Sequence, residues 1–543
     1  MNKLIITIFS VLVYVTQSFS IGQEWATRYN GAGNSTDWAY AIATDPGGNV
    51  VVTGYSTGAG TGKDYKTIKY NPLGAILWEA TYNGPINGGD YSNAIAIDAS
   101  GNIFITGRVD FGSADIVTIK YNSSGVQQWA ARYNGPANGF DEGKSIHIAT
   151  DGSIIVGGKT TETASGIDFI TIKYNPDGTQ AWATTYNGTG NSDDYVVSVD
   201  IDNSNNIYAG GCSIGSNSGL DIAVVKYNSS GVQQWVKRYN GSGNGGDALV
   251  GLKVDGAGNV IACGSTDFGA SQKFNFLTLK YDPSGSLIWE KQYNGTSSDI
   301  DLATAMTVDA LNNIYLTGFT TQVSGTVLDS NYGTLKYDPN GNLLWVAIYN
   351  GPSNSVDVSR SVFVDNSMNV YITGSSKGAG SDDYATIKYS PSGSETWIMS
   401  YNGTGNQNDY SSSVVADDNG NAYVTGRSTG ANSDYDYATL KYGDLVGIEP
   451  VNNQVPDKFS LSQNYPNPFN PSTRIKFSIP EQQNVAIKIF DAIGREVKNI
   501  AFGNLSPAVY EYNLNAADLT SGIYYYRIIT DRFTDSRKMI LVK

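Results

Sequence analysis

Short runs of alternating apolar and polar residues recur along most of the chain, each bounded by glycine, asparagine or aspartate. In the first repeat this alternation predicts strands at residues 25–29, 39–44, 49–54 and 65–70. A turn of the form Asp-x-x-Gly-Asn, at residues 45–49, joins the second strand to the third, and these residue types are typical of tight hairpins. The connections leave no room for helices, so the pattern predicts four antiparallel strands per repeat.

The repeat is marked by a tryptophan that returns every 51 to 56 residues. Tyr-Asn-Gly begins four residues after it, an aspartate lies twelve residues after it, and a glycine follows seventeen residues after the aspartate. Repeats of this kind bury their apolar faces against their neighbours, so we interpret the tryptophans as packing residues between repeats rather than as a binding surface. The eight tryptophans are Trp25, Trp78, Trp129, Trp182, Trp235, Trp289, Trp345 and Trp397.

The two ends of the repeat region each carry half of the repeated hairpin. Seven of the tryptophans follow a Lys-Tyr pair, but Trp25 has none before it, and the last pair, Lys441-Tyr442, has no tryptophan after it. Joined together, the two halves make an eighth hairpin. The sequence therefore predicts an all-β, eight-bladed β-propeller with four strands per blade, closed by strand sharing between its two ends.

One repeat resembles a known family motif. Residues 414–426, VVADDNGNAYVTG, resemble the SBBP-type bacterial β-propeller repeat, and the likeness extends over residues 25–442. It implies a propeller and names no ligand. The turn-plus-tryptophan hairpin also resembles the docking motif of eight-bladed quinoproteins, but the adjacent cysteine pair typical of their alcohol-oxidising members is missing.

The C-terminal segment has a different pattern. Residues 464–480, NYPNPFNPSTRIKFSIP, lead into predicted strands at 485–490, 509–514, 522–529 and 537–542. This segment resembles the C-terminal sorting domain of the type IX secretion system. The resemblance implies a small Ig-like β-sandwich at 457–543 that engages the secretion machinery and is later removed. The matching residues are Tyr465, Pro466, Asn467, Pro468, Phe469, Asn470, Pro471, Gly522 and Tyr524.

Composition agrees with an exported protein. Residues 1–20 combine Lys3, an apolar run and small residues, which predicts a signal peptide, followed by the propeller at 21–442 and a linker at 443–456. No later apolar run is long enough for a membrane helix. The net charge is −15, and the acidic excess lies before residue 457, since residues 457–543 are slightly basic; an acidic body argues against nucleic acid as a partner. Cys212 and Cys263 occupy offset repeat positions, and we expect two buried free thiols, with a disulfide between them as the alternative.

The repeated aspartates are the first candidate site. Each precedes the strand that would line the central channel, so they are expected to form an acidic ring at one channel mouth, suited to a cation or polar ligand. The alternative is that each carboxylate caps backbone N–H groups of its own loop. The aspartates are Asp37, Asp90, Asp141, Asp194, Asp247, Asp301, Asp357 and Asp409.

The residue after each aspartate varies, and this variation marks the second candidate. Adjacent repeats offer Tyr410, Trp38 and Tyr91, beside Asp409, Asp37 and Asp90. Three neighbouring aromatic side chains beside carboxylates suit stacking on sugar rings. The alternative is packing under the variable loops.

The sequence gives little support for catalysis. His147 is the only histidine, which excludes multi-histidine metal sites, and its place on the alternating strand 145–149 favours packing over a role as the base of a triad. No carboxylate pair stands out. We name no catalytic residue and no cofactor, with calcium left open. The predicted function is a secreted or surface binding module, with glycans or surface proteins as partners. The alternatives are a polysaccharide lyase or hydrolase, a degenerate quinoprotein, or a structural adhesion component.

Overall fold

A computed structural model describes residues 19–543 apart from 270–272, 296–299, 325–326, 379, 447, 449, 453–454, 518 and 531. The described residues form 40 strands and no helix, so none of them forms a helix that could span a membrane. They divide into two compact units, Trp25–Lys441 and the remainder of the chain.

The repeat region contains 32 strands. In chain order the first sixteen are β1 (Phe19–Tyr29), β2 (Trp38–Thr44), β3 (Val50–Gly58), β4 (Gly62–Tyr70), β5 (Ile76–Tyr82), β6 (Tyr91–Ile97), β7 (Ile103–Asp110), β8 (Ala114–Tyr121), β9 (Gln127–Tyr133), β10 (Glu142–Ile148), β11 (Ile154–Glu162), β12 (Gly166–Tyr174), β13 (Gln180–Tyr186), β14 (Asp194–Ile201), β15 (Ile207–Ile214) and β16 (Leu220–Tyr227). The next sixteen are β17 (Gln233–Tyr239), β18 (Ala248–Val254), β19 (Val260–Asp267), β20 (Phe274–Tyr281), β21 (Leu287–Tyr293), β22 (Asp301–Val308), β23 (Ile314–Ser324), β24 (Val327–Tyr337), β25 (Leu343–Tyr349), β26 (Val358–Val364), β27 (Val370–Lys377), β28 (Asp382–Tyr389), β29 (Glu395–Tyr401), β30 (Asp409–Ala416), β31 (Ala422–Thr429) and β32 (Tyr435–Val446).

These strands form eight four-stranded sheets within the described residues. Sheets 1 to 7 are consecutive meanders, from β2–β5 to β26–β29, and sheet 8 has the order β1-β32-β31-β30. The first strands of successive sheets contact one another, and β30 contacts β2. The sheets therefore close into a ring, and the N-terminal strand β1 is the outer strand of the last sheet.

The tryptophans connect neighbouring sheets. Trp78 at the edge of sheet 1 donates a hydrogen bond from Nε1 to the carbonyl of Ser123 in sheet 2 at 3.1 Å. Its ring lies against Gly125, where a side chain would clash and φ is +82°. The sheet-to-sheet bond recurs from Trp25 to Pro72, Trp129 to Pro176, Trp182 to Ser229, Trp235 to Pro283, Trp289 to Pro339 and Trp345 to Pro391.

Apolar side chains from adjacent sheets form the core of the ring. Val51 of sheet 1 packs with Ile103, Ile105 and Ile119 of sheet 2, and all four are fully buried. Because successive strand residues point to opposite faces, each central strand serves two such interfaces and is apolar on both sides. Cys212 and Cys263 belong to two of these cores and are free and buried.

The tail is a pair of four-stranded sheets, in the orders β33-β38-β35-β34 and β37-β36-β39-β40, which share one apolar core. Its strands are β33 (Pro450–Asn452), β34 (Ser460–Leu461), β35 (Ser472–Ile479), β36 (Gln483–Asp491), β37 (Glu496–Leu505), β38 (Ala508–Asn515), β39 (Gly522–Thr530) and β40 (Thr534–Leu541).

Some details differ from the sequence prediction. The segment predicted as a linker contains β33, which pairs with β38, and Ile448 packs on the tail core. Strand β37 was not predicted, because its pairing with β36 is interrupted by bulges that break the alternation. Of the predicted signal peptide, residues 1–18 lie outside the described residues.

Candidate binding site at the mouth of the ring

A cavity of about 930 Å³ lies where the innermost strands of the ring begin, and we call it the mouth cavity. Residues from sheets 8, 1, 2, 3, 6 and 7 line it. Three positions of the repeat supply nearly all of them. These are the residue after the aspartate, the third residue after the aspartate, and the residue after the repeat glycine.

The residue after the aspartate supplies the predicted aromatic side chains. Trp38, Tyr91 and Tyr410 all line the mouth cavity, together with Glu142 of sheet 3. Each is half-buried or nearly buried at the start of its innermost strand. The structure therefore brings the three predicted aromatic side chains together in one cavity.

The third residue after each aspartate is a β-bulge. In every sheet the register of the innermost strand shifts at this residue, as at Tyr40 between Ala39 and Ala41. A bulge leaves one residue unpaired and re-aims its side chain. Six of the eight bulge residues line the mouth cavity, and sequence reasoning missed them: Tyr40, Asn93, Lys144, Thr304, Arg360 and Ser412.

The residue after the repeat glycine lies on the second strand of its sheet. There it is directly opposite the residue that follows the aspartate on the innermost strand. Tyr91 pairs with Arg108 and Tyr410 pairs with Arg427, so each tyrosine has an arginine beside it. The Arg108 guanidinium lies 4.3 Å from the Tyr91 ring centre. Directly opposite residues on antiparallel strands interact most strongly, so these pairs are set by the sheet itself.

Arg427 is held by aromatic rings. Its guanidinium carbon lies 3.7 Å from the Trp38 ring centre, 4.4 Å from Tyr435 and 4.8 Å from Tyr410. Trp38 in turn donates a hydrogen bond from Nε1 to Ser412 at 2.8 Å. Stacking on aromatic faces fixes the plane of a guanidinium while leaving its N–H donors available.

Glu142 is surrounded by cations. Its carboxylate lies 2.9 Å from Lys144, 3.5 Å from Lys159 and 3.7 Å from Arg108, and Asn93 donates to it at 3.1 Å. Burial acts to raise the pKa of Glu142, but Lys144, Arg108 and Asn93 outweigh it and hold the pKa below its usual value. The carboxylate is therefore ionised and neutralised by its neighbours near pH 7.

The repeated aspartates lie beneath this surface and not on it. All eight are fully buried, and Asp37 accepts the N–H of Gly31 at 2.6 Å and of Thr57 at 2.8 Å. Asp90 and Asp409 accept equivalent bonds from Gly84 and Gly403. Burial raises the pKa of all three carboxyl groups. This geometry agrees with the capping alternative.

The expected acidic rim is therefore replaced by a basic one. The charged side chains that line the mouth cavity among the described residues are Arg108, Lys144, Arg360, Arg427 and one carboxylate, Glu142. The aspartates turn inward to their loops, as the capping alternative predicts, and the cations of the rim come from the bulge and cross-strand positions.

Three further observations concern chemistry. His147 lies outside the mouth cavity, with Nδ1 3.1 Å from Asp200, and burial lowers its pKa. Among the residues that the structure describes, no group of three or more histidine, cysteine, aspartate or glutamate side chains is arranged to hold a metal ion. Tyr410 donates to Asp382 at 3.0 Å, and burial together with this bond raises its pKa to about 12.

The sorting residues of the tail divide into core and surface. Phe469 and Tyr524 are buried in the core, and Gly522 begins β39. Asn467 accepts the N–H of Ile540 at 2.9 Å. The carbonyl groups of Tyr465, Pro466, Phe469 and Pro471 accept hydrogen bonds within the tail. Exposed members of the motif are Tyr465, Pro466, Pro468 and Asn470.

Comparison with known families identifies two segments. Residues 463–543 match the secretion system C-terminal sorting domain, and residues 400–432 match the β-propeller repeat called SBBP. These matches confirm the resemblances to the SBBP repeat and to the sorting domain that were inferred from the sequence. The sorting domain implies export through the type IX system to the cell surface or beyond and interaction with its machinery.

Individual relatives are distant. An uncharacterized WD repeat-containing protein of Acanthamoeba polyphaga mimivirus is 24% identical over 448 residues, and the match covers 65% of this chain and 30% of that protein's length. PorZ, a surface component of the type IX secretion system of Porphyromonas gingivalis, is 12% identical with a TM-score of 0.33, covering 93% of this chain and 81% of PorZ. The periplasmic gluconolactonase of Pseudomonas aeruginosa is 12% identical with a TM-score of 0.42, covering 67% of this chain and 95% of that enzyme.

Proposed function

We propose that this chain, which carries a β-propeller repeat and a type IX secretion sorting domain, is an exported binding module that holds its ligand in the mouth cavity. Residues 1–20 act as a signal peptide that is cleaved on export. Residues 457–543 then engage the secretion machinery, and the propeller becomes a secreted or surface-attached protein.

The proposed architecture assigns each sheet of the ring to one blade. Residues 21–442 form an eight-bladed β-propeller whose last blade is completed by β1, and residues 443–456 connect it to an Ig-like β-sandwich at 457–543. The closed series of contacts between innermost strands supports this assignment. Sharing a strand between the two ends is a known way to close a propeller.

The proposed ligand is a glycan. The observation that carries this proposal is the meeting of Trp38, Tyr91 and Tyr410, from three adjacent sheets, in one cavity with polar bulge residues. Aromatic faces pack against the apolar faces of sugar rings, while Asn, Ser and Thr side chains bond to hydroxyl groups. The predicted aspartates Asp37, Asp90 and Asp409 contribute by fixing the loops beneath this surface.

A glycan array of the full chain, compared with the Trp38→Ala variant, tests this function. We expect binding to a restricted set of glycans and about a five- to thirtyfold loss in the variant, since a stacked aromatic contact and its burial contribute about 1–2 kcal/mol. Tyr195→Ala is the matched control, because Tyr195 follows the aspartate of sheet 4 but does not line the mouth cavity. A blank array for the folded protein would contradict the proposal and favour a structural role.

Binding is favoured over catalysis by the surroundings of Glu142. It is the one carboxylate among the described lining residues, and three cations hold it ionised. Hydrolysis of a glycosidic bond ordinarily needs a second carboxyl group and a proton donor of raised pKa. We likewise propose that no cofactor is required. The oxygens of turn aspartates such as Asp45, which could otherwise bind calcium, accept hydrogen bonds from backbone N–H groups and form an ion pair with a lysine.

A further inference from the structure

The mouth cavity carries positive charge in an otherwise acidic protein. The whole chain has a net charge of −15, yet four cations and one carboxylate line the cavity within the described part of the chain. The charge of the Glu142 carboxylate is neutralised by Lys144 and Arg108, and Lys159 also lies within ion-pair distance of it. The remaining cations, Arg360 and Arg427, give the cavity a local charge opposite to that of the protein.

The guanidinium of Arg427 is held in place by aromatic rings but has no acidic partner among the described residues. Trp38, Tyr410 and Tyr435 hold its guanidinium by stacking, and its Nε is buried without a hydrogen-bond partner. No carboxylate among the described residues lies within ion-pair distance of it. A buried N–H donor left unsatisfied costs free energy, which an acceptor on a ligand recovers.

Arg360 offers a second donor from another side of the ring. It is the bulge residue of β26 in sheet 7, it is exposed, and among the described residues it has no ion-pair partner. By contrast, Arg238, which lies outside the mouth cavity, is paired with Asp221 at 2.7 Å. The two arginines of the repeat region without an ion-pair partner among the described residues, Arg427 and Arg360, therefore both line the mouth cavity.

We propose that the mouth cavity recognises an acidic sugar, whose carboxylate or sulfate group is bound by Arg427 and Arg360 while its ring packs on Tyr91 and Trp38. This inference rests on the proposed glycan-binding function and names its ligand class. Arginine forms bidentate, charge-assisted bonds to planar oxyanions, and these are stronger than bonds between neutral groups.

Calorimetric titration of the full chain with paired probes tests the inference. Trigalacturonate is compared with its methyl ester, and a sulfated galactan oligosaccharide with its desulfated form. We expect at least about tenfold tighter binding of the acidic member in one pair, as charge-assisted bonds imply. The pair that shows the difference tells whether a carboxylate or a sulfate is recognised, and the affinity should fall with added salt.

Three variants locate the anion. Arg427→Gln and Arg360→Gln should each weaken binding of the acidic probe by about tenfold, with little effect on its neutral partner. Arg427→Lys keeps the charge but loses the planar fork, so it should recover part of the affinity. Lys253→Gln is the control, since it removes one cation from β18 outside the cavity and should change binding less than about twofold.

The outcomes separate the two proposals. Equal affinity for acidic and neutral members in both pairs, or neutral hits alone on the array, would overturn the acidic-sugar inference and leave glycan binding intact. A blank array together with no heat from any of the four probes would remove both. If thermal melting shows that Arg427→Gln does not fold, the exposed Arg360→Gln decides, and unchanged acid preference in that variant overturns the assigned site.

Discussion

At the scale of single residues, buried polar groups define this repeat as much as its apolar core does. Asp45 shows the pattern in the turn between β2 and β3. Its Oδ1 accepts the N–H groups of Gly47 and Asn49 at 2.8 and 2.9 Å, and its Oδ2 lies 2.7 Å from Lys69. Burial acts to raise the pKa of Asp45, but bonds from Lys69 and Asn49 outweigh it and hold the pKa below its usual value.

We predict a pH-dependent loss of stability in Asp45→Asn. Asparagine can keep the turn bonds, as Asn71 does in a later turn, but it leaves the buried Lys69 charge unpaired, which costs about 3 kcal/mol at pH 7. Because the folded-state pKa is depressed, the stabilisation is complete above the unfolded-state value of about 3.9 and is lost as pH falls through the folded-state pKa. Urea unfolding at pH 7, 5 and 3 should show the full gap to wild type at pH 7 and 5 and a smaller gap at pH 3.

Asp98→Asn is the control for this experiment. Asp98 makes the same turn bonds, to Ser100 and Asn102, but no lysine is paired with it in the described structure. Its substitution should cost less than 1 kcal/mol, about the value of an exposed polar change. Equal losses in the two variants, or a gap to wild type that is as large at pH 3 as at pH 7, would show that the ion pair with Lys69 is not the cause.

The site illustrates which residues sequence reasoning can find. Trp38, Tyr91 and Tyr410 were predictable because a fixed spacing from the aspartates identified one variable position. Lys144 and Arg360 were not, because they face the cavity through β-bulges, and a bulge depends on the register of two paired strands. A comparison of the third residue after each aspartate across the eight repeats would have found them. This residue is valine in two repeats, at Val197 and Val250, and polar in the other six.

At the scale of elements, β1 has two roles at once. It is paired with β32 in sheet 8, where Arg28 lies 2.8 Å from Asp436, and its Trp25 donates a hydrogen bond to Pro72 in sheet 1. The same pattern occurs within sheet 4, where Arg238 pairs with Asp221. The split hairpin made this element predictable, because repeat spacing alone showed which half was missing at each end.

We predict that deletion of residues 21–31 abolishes cooperative unfolding of the ring. The deletion removes the outer strand of sheet 8 and the bond from Trp25 to sheet 1, so apolar surfaces on both sides are exposed. Circular dichroism and calorimetric melting provide the measurement. Deletion of residues 457–543 is the control, because the tail has its own core. An unchanged ring transition without residues 21–31 would contradict closure by β1.

At the scale of the whole molecule, ring closure creates the candidate site. Trp38 and Arg427 lie far apart in the sequence, yet their side chains stack because sheets 8 and 1 are neighbours. The fold was predictable from internal repetition, whereas the charge of the mouth cavity was not, since net composition gives −15 while the lining is basic. Local charge depends on which positions converge, and only the assembled ring determines this.

The most direct test of the account is a crystal structure of the protein with the oligosaccharide that binds best on the array. We expect the sugar in the mouth cavity, with a ring packed on Tyr91 or Trp38 and its acidic group within hydrogen-bond distance of Arg427 or Arg360. A sugar bound on the outer edges of the sheets or on the tail, with the mouth cavity empty, would contradict the account.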